Sequence, residues 1–486
     1  MAKKRLNRCL TPAHLSPANS TIAGERTPRI RISRISIRFR LCCVAKQGQL
    51  AFHERRCSFK WPSLPARRDS LATNCDASDP AVKRTTMFTS DTHLPQVLPP
   101  EAYFSAAQHQ REMTQLFVPG WHVIGCIGDI PKPGDYFTAN LGSYPLIVRN
   151  FGDEIHTFLN VCSHRFCAIA SAKRGHSEQL KCQYHGWEFE AAGETRLIPD
   201  APSFRPLEKG RLGLTRFRTA LCGQLIFVSL TEAGPTLPEF LGTSYATYSE
   251  LFSDAYDQIL AADWECEANW KLAVENGLES YHVDCVHATT FGKTPAAKDC
   301  THDLRPDATV FRTPSSNPGT VAHRLETLLA RSQNREPTHE YMNLRTYPSL
   351  TCSKTDTVTF VQSILPLEPT RCMIIYRLFS PRPSASAWIT RLMSNSYRRG
   401  FKKYWLKVFL EDQQILPKIQ HGMQAPWKPR GGLISAREER IFHFQNYVNR
   451  YCQEFSIDTP AASHLPAHPE HFCPDAKQCS HPGDAQ

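Results

Sequence analysis

Asn160–Trp187 reads NVCSHRFCAIASAKRGHSEQLKCQYHGW, and the rest of the chain is best understood outward from it. It holds Cys162-x-His164, a spacer of 17 residues, and Cys182-x-x-His185. Each pair offers one thiolate and one imidazole, and the second runs directly into Gly186 and Trp187. The flanks are β-rich. Trp121 to Ile127, Tyr136 to Leu141, Pro145 to Asn150 and Thr157 to Val161 are short runs punctuated by Pro-Gly, Gly-Asp and Asn-Phe-Gly turns. That spacing predicts a small antiparallel β domain ending near Leu230.

Two loops presenting the same mixed pair can clamp a [2Fe–2S] cluster, both sulfurs on one iron and both imidazoles on the other. Replacing two thiolates by neutral histidines raises the reduction potential above that of all-cysteine clusters. A Cys₂His₂ zinc site has the same ligand count, but zinc fingers usually pair Cys with Cys and His with His on a short hairpin and helix. Mixed pairs inside a β domain favour the cluster. These residues resemble the Rieske domain of Rieske non-haem iron oxygenases, and the likeness extends from Trp121 to Leu230. One position departs from it. Phe166 stands where the family usually has Gly or another small residue, and is expected to alter packing beside the cluster without removing a ligand.

A second constellation follows at Asn269 to His287, NWKLAVENGLESYHVDCVH. Two histidines and one carboxylate with open positions is the arrangement of non-haem Fe(II) sites that activate O₂. The five-residue step from His282 to His287 exceeds one helical turn. It works if a helix from Asn269 ends near His282 and His287 lies on the next loop. This run resembles the catalytic domain of the same family, whose carboxylate arrives late on a long helix. The matching segment is VFLEDQQILPKIQHG, Val408 to Gly422, and the matching ligand is Asp412. Glu411 is the neighbouring alternative, but successive helical side chains diverge by about 100° and only one can face the iron. Glu279, three residues before His282, is placed on the same helical face. The resemblance gives it the role of a carboxylate that orients His282 and bridges to a cluster histidine of another subunit, and puts Asn276 beside the iron.

The resemblance therefore implies an α+β chain: an all-β Rieske [2Fe–2S] domain, then a helix-grip (START/Bet v1-like) catalytic domain with an antiparallel sheet. The expected division is a basic leader over 1–86, a helical segment over 87–116, the Rieske domain over 117–232, the catalytic domain over 245–455 and a disordered tail over 456–486. Strands are expected at Ile259 to Trp264, Tyr341 to Cys352, Val358 to Leu365 and Cys372 to Phe379. Residues 386–424 read as a long amphipathic helix through Leu406, Val408, Phe409 and Ile419, and 436–453 as another.

Composition narrows the function classes. The net charge of +11 is confined to the start: residues 1–68 carry 16 of the 57 basic side chains and 2 of the 46 acidic ones. The nearly neutral remainder has no footprint for a phosphate backbone, so nucleic acid is excluded. The longest apolar stretch, Leu221 to Leu230, is half the length of a membrane span. The 18 cysteines include no C-x-x-C pair and suit a reducing compartment. The Arg-rich leader reads either as a transit peptide to plastid or mitochondrion, or as upstream sequence ahead of Met87 in a cytoplasmic protein. Tail residues Cys479 and His481 lack a second spaced pair.

By resemblance the chain is the catalytic large subunit of an oxygenase. A reductase or ferredoxin, drawing on NADH or NADPH, feeds the cluster, and O₂ is inserted into a small organic substrate at the mononuclear iron. Aromatic-ring hydroxylation is the leading expectation. One alternative is monooxygenation of a quaternary amine like that of the choline monooxygenases, which needs an aromatic cage drawn from residues such as Trp405, Tyr404, Phe360 and Tyr376, and another is oxidative demethylation. A homotrimer is expected, with a β subunit left open. A non-catalytic electron carrier or a structural zinc protein is the rival class, and it would have no use for His282, His287 and Asp412.

Overall fold

The structure is a computed structural model and describes residues 88–452, apart from 208–211, 292, 317, 333–334, 383–387 and 430. The leader and the tail, with Cys479 and His481, lie outside the described residues. A helix over Ala106–Glu112 (α1), capped by the Ser105 side chain, precedes the first sheet.

That sheet has seven antiparallel strands. They are β1 (His122–Cys126), β2 (Asp135–Leu141), β3 (Tyr144–Asn150), β4 (Ile155–Leu159), β5 (Arg174–His176), β9 (Arg216–Cys222) and β10 (Leu225–Ser229), in the order β1-β10-β9-β4-β3-β2-β5. A separate three-stranded sheet, β6 (Leu180–Lys181), β7 (Glu188–Phe189) and β8 (Thr195–Leu197), carries the second Cys-His loop.

A second seven-stranded antiparallel sheet runs β11 (Tyr256–Cys266), β17 (Arg371–Pro381), β16 (Thr359–Glu368), β15 (Leu350–Lys354), β14 (Glu340–Thr346), β13 (Ala308–Pro314), β12 (Thr301–Arg305). It differs from expectation in two places. The single run Tyr341 to Cys352 is a hairpin, because Pro348 offers no N–H to a ladder and the chain turns there before Leu350 pairs with Thr346. Strands β12 and β13 are additional to those expected, and β12 is the sheet edge, where THDLR shows little apolar alternation.

Side chains alternate across this sheet. On β14, Tyr341, Asn343 and Arg345 line a cavity, while Leu344 enters the core on the other face. The long helix α5 (Trp388–Met423) crosses the cavity face. Trp405, Val408, Phe409, Asp412, Gln413 and Leu416 recur at helical spacing and form its cavity-facing stripe. Leu406 and Ile419, expected among the apolar positions, are exposed instead. A helix α4 (Val321–Ser332) lies between β13 and β14 in the chain, and the helix α6 (Glu439–Cys452) follows α5.

The two sheets are tied by a buried ion pair. Asp129, just after β1, accepts from Arg377 Nε of β17 at 2.8 Å and from its own Cys126 N–H at 3.0 Å. Both charged side chains are almost fully buried, so the pair depends on its hydrogen bonds.

Candidate metal centres and cavity

The two loops that carry the cysteines are built alike. In each, the cysteine N–H donates to the carbonyl five residues on, Cys162 to Cys167 and Cys182 to Trp187, both at 2.8 Å. In each, the chain then turns back: Phe166 N–H donates to the Cys162 carbonyl at 2.9 Å, and Gly186 N–H to the Cys182 carbonyl at 3.0 Å. Both thiols are buried and both imidazoles are half-buried. The rings of His164 and His185 lie 4.6 Å apart, and His164 stacks flat on Trp187 at 4.9 Å.

This arrangement fits a cluster. His185 Nδ1 is buried with no hydrogen-bond partner, so a ligand is what would satisfy it. Burial, reinforced by the adjoining Cys182 thiol, pushes Cys162 up to about 11. A thiol so placed ionises when a cation replaces its proton. Phe166 does not pack beside this site as expected. It is 80 % exposed, because its left-handed backbone throws the ring outward. Cys167 adjoins the site and is half-buried.

The second group forms around a break in a helix. The helix α2 (Trp270–Asn276) does not continue to His282 as expected. It ends at Gly277, its C-cap, and the site is close-packed: a Cβ there would sit 2.2 Å from Nη2 of Arg345, which reaches in from β14. His282 instead caps the N-terminus of the single-turn helix α3 (Val283–Val286), and His287 caps its C-terminus. Glu279 is consequently in a turn rather than on a shared helical face. Its carboxylate accepts the Tyr281 N–H and, at 3.2 Å, the His282 N–H, and it pairs with His282 Nδ1.

His287 Nδ1 is held in the same way by Glu411 Oε2 at 2.9 Å, which also accepts from Thr290 Oγ1 at 2.7 Å. Expectation set Glu411 against Asp412 as alternatives, yet each has a place. Their divergence around α5 sends Glu411 behind His287 and Asp412 in front of it. Asp412 Oδ1 lies 3.0 Å from His287 Nε2 and 3.8 Å from His282 Nε2. It is buried and satisfied by no hydrogen bond, and one donor atom from each of the three residues lies within 4.8 Å of the others. Burial disfavours a charge on His287, but Asp412 and Glu411 outweigh it and raise its pKa, so the pocket attracts a cation. Two imidazoles with fixed tautomers, a carboxylate and an open side fit mononuclear Fe(II).

The open side gives onto a cavity of about 300 Å³. Trp264, Phe291, Phe360, Tyr376, Trp405 and Phe409 form one wall, and Asn276 lines it beside Glu279. Tyr404 touches Phe291 and Trp405 from behind and does not line the cavity. Another His/carboxylate group, Glu326, His339 and Asp356, is internally satisfied. Asp356 accepts from Thr338 and the His339 N–H, and Glu326 accepts from Ser315 and Ser316.

Comparison with known proteins agrees with both halves. The Rieske [2Fe-2S] domain family matches residues 120–213, and the family described as ring hydroxylating alpha subunit (catalytic domain) matches 252–454. Chloroplastic choline monooxygenase of Spinacia oleracea is 32 % identical over 204 residues, 40 % of this chain and 46 % of that protein. The chain thus aligns with about half the length of that relative. The Amaranthus tricolor choline monooxygenase is 25 % identical over 407 residues, 80 % of this chain and 85 % of that protein. A solved quaternary ammonium Rieske monooxygenase, described in terms of carnitine oxidation and inter-subunit electron transfer, shares the fold. Its TM-score is 0.59 at 17 % identity, over 74 % of this chain and 96 % of that one. With a Rieske domain and a ring-hydroxylating alpha-type catalytic domain in succession, this chain belongs to the Rieske non-haem iron oxygenases.

Proposed function

We propose that this chain is the catalytic subunit of an oxygenase that hydroxylates a small organic substrate with O₂ and electrons from a reductase or ferredoxin. The observation that carries this reading is the convergence of His282, His287 and Asp412 on the mouth of an aromatic-walled cavity. Cys162, Cys182, His164 and His185 would hold the [2Fe–2S] cluster, and the convergent three would hold the iron. When bound, that iron supplies the activation of O₂.

The chain's own residues do the rest. Glu279 and Glu411 keep a proton on each Nδ1, which fixes both Nε2 lone pairs toward the metal. The aromatic wall excludes water and positions the substrate by ring faces, which suit a flat arene or a methylated ammonium group alike. The ring-hydroxylating family match supports the first, and the choline monooxygenase relatives support the second. The Rieske domain is assigned residues 117–232 and the catalytic domain 245–455.

The working assembly is taken to be a homotrimer in which the cluster of one subunit feeds the iron of the next through Glu279. Among the described residues no helix is long and apolar enough to cross a membrane. The location follows from the leader: cytoplasmic if translation starts at Met87, plastid or mitochondrial if the leader is a transit peptide. The deciding experiment is reductase-coupled O₂ consumption over a panel of aromatic acids, arenes and methylated amines, with ¹⁸O₂ followed into product. Consumption without label in any product would refute the reading.

A further inference from the structure

The cavity lining is also strongly basic. Arg345 is fully buried, lines the cavity, and makes no hydrogen bond through Nε, Nη1 or Nη2. Arg440 is also buried and lines the cavity, and its bonds go to neutral partners, Thr309 Oγ1 at 3.1 Å and Asn343 Oδ1 at 2.6 Å. Lys293 and Arg437 border the same space. Among the described residues, the carboxylates on its lining are Glu279 and Asp412, which lie against His282 and His287. Among the described residues no acidic side chain forms an ion pair with Arg345 or Arg440.

Burying a guanidinium without a counter-charge or acceptor is costly, and buried charges are ordinarily paired. Burial, with Arg440 nearby, lowers Arg345 to about 9, and burial lowers Arg440 to about 10. Gly277 leaves the Arg345 fork room to stand, since any side chain there would strike Nη2. The missing partner is an anion of fork-compatible shape, in the same cavity as the reacting end.

We infer that Arg345, backed by Arg440, anchors a substrate carboxylate, so that the enzyme takes small organic acids (aromatic acids or carboxylate-bearing methylated amines) in preference to hydrocarbons or bare quaternary cations. This rests on the cavity being the substrate site of the oxygenase. It also narrows that reading, because a cation without a carboxylate would meet uncompensated positive charge.

The test is equilibrium binding to the metal-loaded enzyme, followed by the fluorescence of Trp264 and Trp405. The probes are benzoate against benzamide, and glycine betaine against choline, which separate the two kinds of acid. At least one acid should bind roughly tenfold or more tighter than its carboxylate-free counterpart, as expected for a charge-assisted pair. Arg345→Met should abolish that preference while leaving the weaker counterpart within about threefold. Arg345→Lys keeps the charge and loses the fork, and should retain part of the preference. It is the variant read if the Met form does not accumulate. Equal binding of acid and counterpart by the native enzyme, or equal loss of both in a folded variant, would overturn the proposal. Reductase-coupled O₂ uptake on the same panel separates the two claims. Arg345-dependent binding without turnover would refute the oxygenase reading alone, whereas turnover of benzamide or choline indifferent to Arg345 would refute the anion site alone.

Discussion

Phe166 and Gly186 occupy equivalent places in the two cysteine loops. Each closes its loop on the carbonyl of the preceding cysteine, and each has a left-handed backbone, φ 59° for Phe166 and 72° for Gly186. Glycine adopts that conformation freely, whereas an ordinary side chain there costs about 1–2 kcal/mol. The first loop therefore carries strain that the second does not, with an exposed aromatic ring at its tip. Phe166→Gly is expected to keep the visible spectrum of the cluster and to leave the thermal midpoint unchanged or raised. A lowered midpoint would show that the ring is held by a contact made outside this chain.

The two metal centres should empty separately. Cys182→Ala is expected to abolish the cluster and retain mononuclear iron, and Asp412→Ala to do the reverse. Glu411→Ala should retain iron with affinity reduced roughly 10–100-fold, since it removes only the group that orients His287. Iron analysis beside the visible spectrum decides. Iron lost fully in Glu411→Ala and kept in Asp412→Ala would exchange the two roles.

The proposed transfer of electrons across subunits makes a demand that a lone chain could not meet. Cys162→Ala and His282→Ala subunits should each be inactive alone and recover part of the activity when assembled together. Glu279→Ala should keep both metals and lose most turnover. Mixed assemblies that form and stay inactive would remove the bridging role of Glu279.

Asp129 is the hinge of the two sheets in energetic terms. Asp129→Ala leaves Arg377 buried without its main partner and is expected to destabilise by about 3–5 kcal/mol in urea unfolding. A loss below about 1 kcal/mol would mean that Asp263, which Arg377 also reaches at 3.2 Å, suffices.

Glu275 makes stability fall with rising pH. Burial, opposed by its bonds from Tyr103 Oη at 2.6 Å and Gln445, raises its carboxyl from 4.5 to about 7. The folded state therefore holds this proton more tightly than the unfolded one. Its contribution is complete below about pH 4.5 and is lost as pH rises through about 7. The change is on the order of 3 kcal/mol. Glu275→Gln should flatten that slope, and an unchanged pH profile of urea midpoints would rule the effect out.

What the sequence determined alone is what lies close along the chain. The pairs Cys162/His164 and Cys182/His185 and the run Glu279 to His287 are each set by a few backbone torsions, so their spacing is readable before any fold is known. The stripe on α5 was half-readable: its period implied that only one of Glu411 and Asp412 could face the iron. Which one, and that the other would grip His287, depended on how the helix lies on the sheet. The glycine that ends α2 is a local stop signal, whereas the guanidinium packed against it from β14 could not be read from the sequence. Arg345 and Arg440 looked like two ordinary basic residues, far apart in sequence. Only the tertiary structure, by burying both on one cavity and assigning every nearby carboxylate elsewhere, made their charge an open demand, because counter-charge is a property of three-dimensional neighbourhood.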